Sequence, residues 1–461
     1  MKKVFDELKS LDKRAIEDFF LSEDILMEHA SLGLFNYIRK KFKKNKTILI
    51  VCGSGNNGAD GLALARLLYK TFDVKIYIAK EPKTPMAKLQ YKRAKTLDIE
   101  FADYVFEADI IVDCLFGTGF SGSLDENSID LIDKLNSFNS FKIACDIPSG
   151  INRQGQVLQT AFKSNLTITM GAYKTALLND IAKDFVGKIK VINLGLPRDV
   201  FEKDTDIFLL EKKDMVLPFR DNKNSHKGSF GHLNIVAGNK LGASIIASKA
   251  AFSFGAGLVT IINSNEQNIP SYIMQNEDIS KNCTAIAIGM GLGKIDDKSL
   301  EDILKLNLPK VFDADIFYNP LILKYLDENV VLTPHPKEFI SLLKLTKIAN
   351  ISIEELQNSR FLYLQKFCEK YPKITLLLKG ANVLIAKDKK VYINSYGTQS
   401  LSKGGSGDVL SGLIASLLAQ GYNPLNAAIF GSLAHTLAAK KYKKNNYSLN
   451  PNDLIKKVKK L

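Results

Sequence analysis

The run Gly404-Gly405-Ser406-Gly407-Asp408 stands directly before the apolar segment VLSGLIASLLAQ. Successive N–H groups at a helix N-terminus make an anion hole, and an Asp inside it can take the proton of a hydroxyl held against an incoming phosphoryl group. Phosphoryl transfer with Asp408 as base is therefore the chemistry this spacing predicts. The plainer alternative is a glycine-rich cap, since Asp is a common N-cap residue; a cap does not need four small neighbours. Upstream, Lys379-Gly380-Ala381-Asn382 ends a candidate strand and offers an ammonium to a nucleotide phosphate. Thr333-Pro334-His335-Pro336 with Glu338 ends another, and its prolines fix the backbone at His335.

In the first half, the apolar run TILIVC leads into Gly53-Ser54-Gly55-Asn56-Asn57-Gly58-Ala59-Asp60-Gly61 and then LALARLLYK. This satisfies GxGxxG between strand and helix, with Glu81 near the distance of a ribose-binding acid, so a dehydrogenase is the first rival. A tight turn that binds nothing is the plain alternative. Yet Asn56, Asn57 and Asp60 crowd a place where a pyrophosphate loop favours small residues and bare N–H groups. Their oxygens suit a cation or sugar hydroxyls. Open parallel sheets bind ligands at the carboxyl ends of their strands. Asp113 with Gly117-Thr118-Gly119-Phe120-Ser121-Gly122, and Asp146-Ile147-Pro148-Ser149-Gly150, end two further strands and are expected to face the first loop, with Lys174 on the same rim.

Positioning these loops requires βαβ units. Short β-rich runs at 47–52, 74–79, 110–116, 141–146, 166–170 and 189–194 alternate with amphipathic stretches such as 60–70 and 127–136, which predicts a parallel sheet and an α/β fold. The alternation restarts at 232–237, 257–262, 285–288, 311–315, 330–333 and 374–379. A hairpin at 383–393 and a long apolar helix at 408–419 follow. Between the halves, 196–228 is polar, with two prolines and few apolar positions, and is expected to be the junction. The boundary is placed near 215, giving domains 1–214 and 215–461; 461 residues suffice for two to four domains of roughly 100 to 200 residues.

Composition narrows the partners. Hydrophobic residues make up 46% and charged residues 24%, and no apolar run nears the roughly 18 residues of a membrane span. Acidic residues at Asp6, Glu7, Asp12, Glu17 and Asp18 interrupt what a signal peptide would need, so a cytoplasmic location is expected. The formal net charge of +14 favours acidic partners such as phosphorylated small molecules. The lysines are dispersed as pairs without a nucleic-acid-binding pattern, so neither nucleic acid nor membrane is expected. Five cysteines form no CxxC pair and read as reduced, mostly buried thiols; five scattered histidines predict no transition-metal site.

GSGNNGADG, DCLFGTGFSG and CDIPSGIN, with DILMEHA ahead of them, resemble the epimerase domain of the bifunctional NAD(P)H-hydrate repair enzymes over about residues 20–200. The resemblance implies a Rossmann-like fold and interconversion of the R and S epimers of hydrated NAD(P)H, written NAD(P)HX, with a bound potassium ion. It implies substrate contacts from Asn56, Asn57, Gly58, Ala59 and Asp60, and from Gly117, Thr118, Gly119, Phe120, Ser121, Gly122 and Ser123. Asn57, Asp113 and Ser149 are implied as potassium ligands, and Asp146 as the catalytic residue at the reacting ring. Ala59 stands where NNGGD has glycine, and His29 where LMENA has asparagine.

HKGSFGHLNIVAGN, GMGLG, VFDAD, VLTPHPKE, LLKG and GGSGDVLSG, over about residues 225–435, resemble the ribokinase-like superfamily and more closely its NAD(P)HX dehydratase members. That implies contacts to the hydrate from Ala243, Gly291 and His335. Lys379, Gly380, Ala381, Asn382, Val383 and Gly407 would bind ADP or ATP with magnesium, and Asp408 would be the catalytic residue at the substrate. GMGLG replaces GPGLG, and Asn382 a common threonine.

The expected protein is thus a two-domain enzyme acting on NADHX and NADPHX, an epimerase followed by a nucleotide-consuming dehydratase. The rival is a ribokinase-like small-alcohol kinase fused to a catalytically silent binding domain. The choice of nucleotide donor, the preferred hydrate and a homo-oligomeric state stay open.

Overall fold

The structure, a computed structural model, describes residues 1–461 apart from 121 and 264–267. The chain separates into two compact units, Lys3–Thr205 and Met1–Lys2 with Asp206–Leu461.

In the Lys3–Thr205 unit, seven parallel strands form one sheet in the order Glu100–Phe101, Asp73–Ile78, Thr47–Cys52, Ile110–Cys114, Phe141–Cys145, Leu166–Met170 and Lys188–Ile192. The chain order reverses between Thr47–Cys52 and Ile110–Cys114, which opens a crevice at their carboxyl ends. Both strands are apolar at nearly every position because both faces are covered. Ile48, Ile50 and Cys52 pack with Leu34 and Ile38 of the helix Glu23–Lys41 and with Leu62 and Leu68 of the helix Asn56–Leu68. Leu49 and Val51 point the other way, onto Ile132 and Leu135 of the helix Glu126–Ser137. Ser22 caps the helix Glu23–Lys41, which carries Glu23 and Asp24 in its first turn and Arg39, Lys40 and Lys41 in its last.

The Asp206–Leu461 unit runs its strands in the order Met274–Asn276, Leu258–Ile262, His232–Val236, Ala285–Ile288, Lys310–Phe312, Val330–Leu332 and Thr375–Leu378, all parallel. The antiparallel hairpin Val383–Lys387 and Lys390–Asn394 follows, as the sequence predicts. The helices Leu241–Ser253, Ser406–Ala419 and Pro424–Lys440 build the main core with this sheet.

One expectation needs correction. The stretch 196–228 is not uniformly unanchored: Ile207–Leu209 forms a strand parallel to Lys390–Asn394, and Phe201, Ile207, Leu209 and Leu210 are buried. Three residues are too few for a periodic signal, so pairing with a distant hairpin decides their state. Only Phe219–Ser229 is continuously exposed. Limited proteolysis is expected to cut first there; first cuts within 201–210 would contradict this packing.

Candidate active sites

Two glycines let the first loop close. A Cβ on Gly53 would lie 1.9 Å from the Leu115 carbonyl oxygen, and one on Gly58 would lie 2.0 Å from the Gly53 carbonyl oxygen. Side chains there would push apart the two strand ends that frame the crevice. A cavity of 680 Å³ is lined by Asn56, Asn57, Asp60, Phe116, Gly117, Thr118, Gly119, Phe120 and Asp146, among others. The three polar loops expected to converge therefore do so.

The rest of the expected set is sorted by packing. Ala59 is buried with Met27, Met86 and Ala87 and does not itself line the cavity, so alanine in place of glycine is accommodated there. Gly58 likewise stands outside the lining, as does Ser123, which is exposed. Gly122 lines a neighbouring cavity of 390 Å³. Ser121 lies outside the described residues. His29 borders a separate hollow, and Glu81 is exposed and does not line the cavity, which weakens the dehydrogenase alternative. Lys83 and Thr84 do line it, the lysine offering charge to a substrate phosphate.

Behind the cavity wall, Asp113 is almost wholly buried. Its Oδ1 accepts from Leu115 N at 3.1 Å and Ser149 Oγ at 2.6 Å, and its Oδ2 from Ser149 N at 2.8 Å. Burial pushes this carboxyl up to about 6, against those hydrogen bonds. Asn57 donates from Nδ2 to the Phe116 carbonyl at 2.9 Å, while its Oδ1 is buried with no hydrogen-bond partner among the described residues. An orphaned carbonyl oxygen near a buried carboxylate fits a hard monovalent cation with oxygen ligands, the donor set Asn57, Asp113 and Ser149 provide. Among the described residues no group of three His, Cys, Asp or Glu could hold a metal ion.

Asp146 follows the strand Phe141–Cys145 in the left-handed region, with φ of 69°, which Asp adopts more readily than most residues. Its N–H donates to the Ile168 carbonyl, and its Oδ1 accepts from Met170 N at 3.0 Å, from Thr169 Oγ1 at 3.2 Å and from the Lys174 ammonium. Lys174 is buried and also donates to Thr169 Oγ1 at 2.6 Å. These donors fix the carboxylate at the cavity edge. Burial also pushes Asp60, another lining residue, well above the usual carboxylate range.

In the second unit, Gly405 takes φ of 86° and is itself the N-cap of the helix Ser406–Ala419, with no side-chain cap. Asp408 is therefore inside the first turn and is not the capping residue. Burial pushes its carboxyl up to about 6, with Asp313 adding to the effect and Lys379 opposing it. Lys379 pairs through Nζ with Asp313 Oδ1, while Asp313 Oδ2 accepts from Ser411 Oγ at 2.6 Å. The Lys379 ammonium would lie 3.4 Å from a Cβ on Gly407, so it stands beside the anion hole.

Two residues here were given no role by the sequence, although Asp313 lies in the VFDAD motif. Asp313 ends the strand Lys310–Phe312 and acts only through contacts with Lys379 and Ser411. Arg360 is buried and donates to the carbonyls of Lys379 at 2.9 Å and Asn382 at 3.0 Å, holding the turn that presents the lysine. Gly380 and Ala381 are exposed, Asn382 and Val383 buried. His335 caps the helix Pro336–Leu345, its Nδ1 accepting from Lys337 N and Glu338 N, with Nε2 3.0 Å from Glu338 Oε1. Burial lowers the His335 pKa, and burial raises that of Glu338 to about 7. Gly291 accepts the Lys240 N–H at 3.1 Å, bringing the GMGLG turn to the start of the helix Leu241–Ser253 that carries Ala243.

A family described as NAD(P)H-hydrate dehydratase matches residues 233–460, and one described as YjeF-related protein N-terminus matches 23–176. The bifunctional NAD(P)H-hydrate repair enzyme Nnr of Helicobacter pylori is 46% identical over 474 residues, covering 100% of both chains. The chain belongs to the bifunctional NAD(P)H-hydrate repair enzymes. Other members of this repair-enzyme family include that of Coxiella burnetii, 34% identical over 94% of this chain and 93% of its own, and that of Escherichia coli, 30% identical over 94% and 88%. Among solved structures, an ADP/ATP-dependent NAD(P)H-hydrate dehydratase from Bacillus subtilis, co-crystallized with ATP/Mg2+, is similar over 56% of this chain and 98% of that chain, at 23% identity and a TM-score of 0.47. Among the described residues, no helix is long and apolar enough to cross a membrane.

Proposed function

We propose that the protein repairs hydrated nicotinamide nucleotides in the cytoplasm, with the first domain, 1–214, epimerising NADHX and NADPHX and the second, 215–461, dehydrating the S epimer with ADP or ATP. One observation carries the reading: the family likeness runs through both units, and each places a carboxylate, Asp146 or Asp408, beside a glycine loop.

Hydroxide is a poor leaving group at neutral pH, so dehydration becomes easy once the ring hydroxyl is phosphorylated. Asp408 takes the hydroxyl proton as the oxygen attacks the terminal phosphoryl group, and the N–H groups of Gly405, Ser406 and Gly407 hold that group. Phosphate then leaves with the C6–O electron pair, and loss of a C5 proton forms the double bond. Lys379, with Gly380, Ala381, Asn382 and Val383 around it, binds the nucleotide phosphates. Magnesium, when bound, neutralises charge on the donor phosphates. Ala243, Gly291 and His335 shape the hydrate pocket.

In the first domain, Asn56, Asp60, Thr118, Gly119 and Phe120 hold the substrate. Asn57, Asp113 and Ser149 are suited to hold potassium, which would supply positive charge at the loop junction.

The deciding experiment incubates the purified chain with each epimer, with and without ADP or ATP, in potassium and in lithium buffer. Expected are NAD(P)H, one orthophosphate and one shortened nucleotide per turnover, with epimer exchange faster in potassium. A stable phosphorylated alcohol would instead indicate a kinase.

A further inference from the structure

The helix Lys9–Glu17 precedes the segment matched by the YjeF-related N-terminus family, which begins at residue 23, and its Asp12 and Ile16 line the epimerase cavity. Val4 and Phe5 pair in parallel with Tyr173 and Lys174, which brings the chain alongside the Lys174–Asp146 pair before the helix starts. Leu8, Leu11 and Ala15 then enter the core with Leu26, Ala30 and Leu194, and the Arg14 guanidinium donates to the Val200 carbonyl. This anchoring sets Asp12 in the wall of the 680 Å³ cavity and also of the 390 Å³ one; Thr118, Gly119 and Phe120 are the other residues common to both.

Asp12 is unlike the other carboxylates of the site. Its Oδ1 is buried and has no hydrogen-bond partner among the described residues, an arrangement that costs stability and calls for a ligand or a role. Burial pushes its carboxyl up to about 6, with Lys174 opposing and Asp146, Glu7 and Glu23 adding to the effect. Asp146, by contrast, is paired with the Lys174 ammonium.

We infer that Asp12 is a second catalytic residue of the epimerase, the acid that works with the base Asp146. This deepens the epimerase reading and rests on it. C6 of the hydrate is bonded to both a hydroxyl and the ring nitrogen N1. Asp12 gives its proton to that hydroxyl, the C6–O bond breaks with its electron pair leaving in water, and the N1 lone pair forms a C6–N1 double bond. Water then adds to the opposite face: its oxygen lone pair makes the new C6–O bond, its proton passes to Asp146, and the double-bond pair returns to N1. The reverse direction exchanges the two roles; between successive forward turnovers Asp146 releases its proton to water and Asp12 takes one up, so each turnover starts from one protonated and one ionised carboxyl.

The test measures, by chromatography of the two epimers, the exchange of pure R-NADHX by the full-length chain and its variants. Asp12→Asn keeps the side-chain volume and is expected to lower kcat for exchange by at least about 10²-fold with KM within a few-fold of the parent. Asp12→Glu, which keeps an acid, is expected to exchange measurably faster than Asp12→Asn. Exchange by Asp12→Asn within threefold of the parent, a change confined to KM, or equal rates for the two variants would each overturn the assignment. Absence of exchange in the unsubstituted chain would overturn the epimerase reading itself, a different result.

Discussion

Asp408→Asn is expected to lower nucleotide-dependent dehydration at least about 10²-fold, the lower end for loss of a general base. The amide has nearly the same volume and remains in the first turn of the helix Ser406–Ala419, so the anion hole keeps its geometry while the proton acceptor is lost. The pH profile gives an independent check. Burial, aided by Asp313, pushes the Asp408 carboxyl up to about 6, and a base must be ionised to act. The rate in the parent protein should therefore rise with pH through about 6 and level off above it. That rise should be absent from the residual activity of Asp408→Asn. A variant that still turns over normally, or dehydration without nucleotide, would sink the mechanism. Raised pKa also means that ionising Asp408 is less favourable folded than unfolded, so its contribution to stability falls as pH climbs from about 4 to above 6. That is a cost tolerated at a reacting group.

Asp146→Asn should abolish epimer exchange. Three donors converge on Oδ1 of Asp146, one of them the buried Lys174 ammonium. An amide oxygen can still accept from Met170 and Thr169, but it carries no charge to balance Lys174 and takes no proton from water. Breaking a buried pair by removing one partner costs roughly 3–5 kcal/mol, so the variant should also melt earlier. The double substitution Asp146→Asn with Lys174→Met, which removes both charges, should recover much of that melting temperature without recovering exchange. Recovery of exchange in the double variant would show that Asp146 acts only as the counter-ion of Lys174. Comparing exchange with melting in the two variants thus separates the chemical role from the electrostatic one.

Much of this protein is written locally in its sequence. TILIVC followed by glycines, and VLSGLIASLLAQ preceded by GGSGD, each specify a strand or helix and the turn beside it. Alternation of side chains across a strand and the backbone freedom of glycine act over a few residues, so they are readable without the fold. The same holds for the parallel character of both sheets, which continuous β-rich runs separated by helical stretches require. What only the tertiary structure decided is where distant groups meet. Ile207–Leu209 becomes a strand because the hairpin partner Lys390–Asn394 lies beside it. Asp313 and Arg360 matter through Lys379, 66 and 19 residues away, and Asp12 through a cavity shared with the still more distant Asp146. A carboxylate's burial and its nearest charges set its protonation, and neither exists until the chain has packed. Residue type and spacing could therefore name the candidate loops, while the burial and nearest charges of each carboxylate exist only in the folded core.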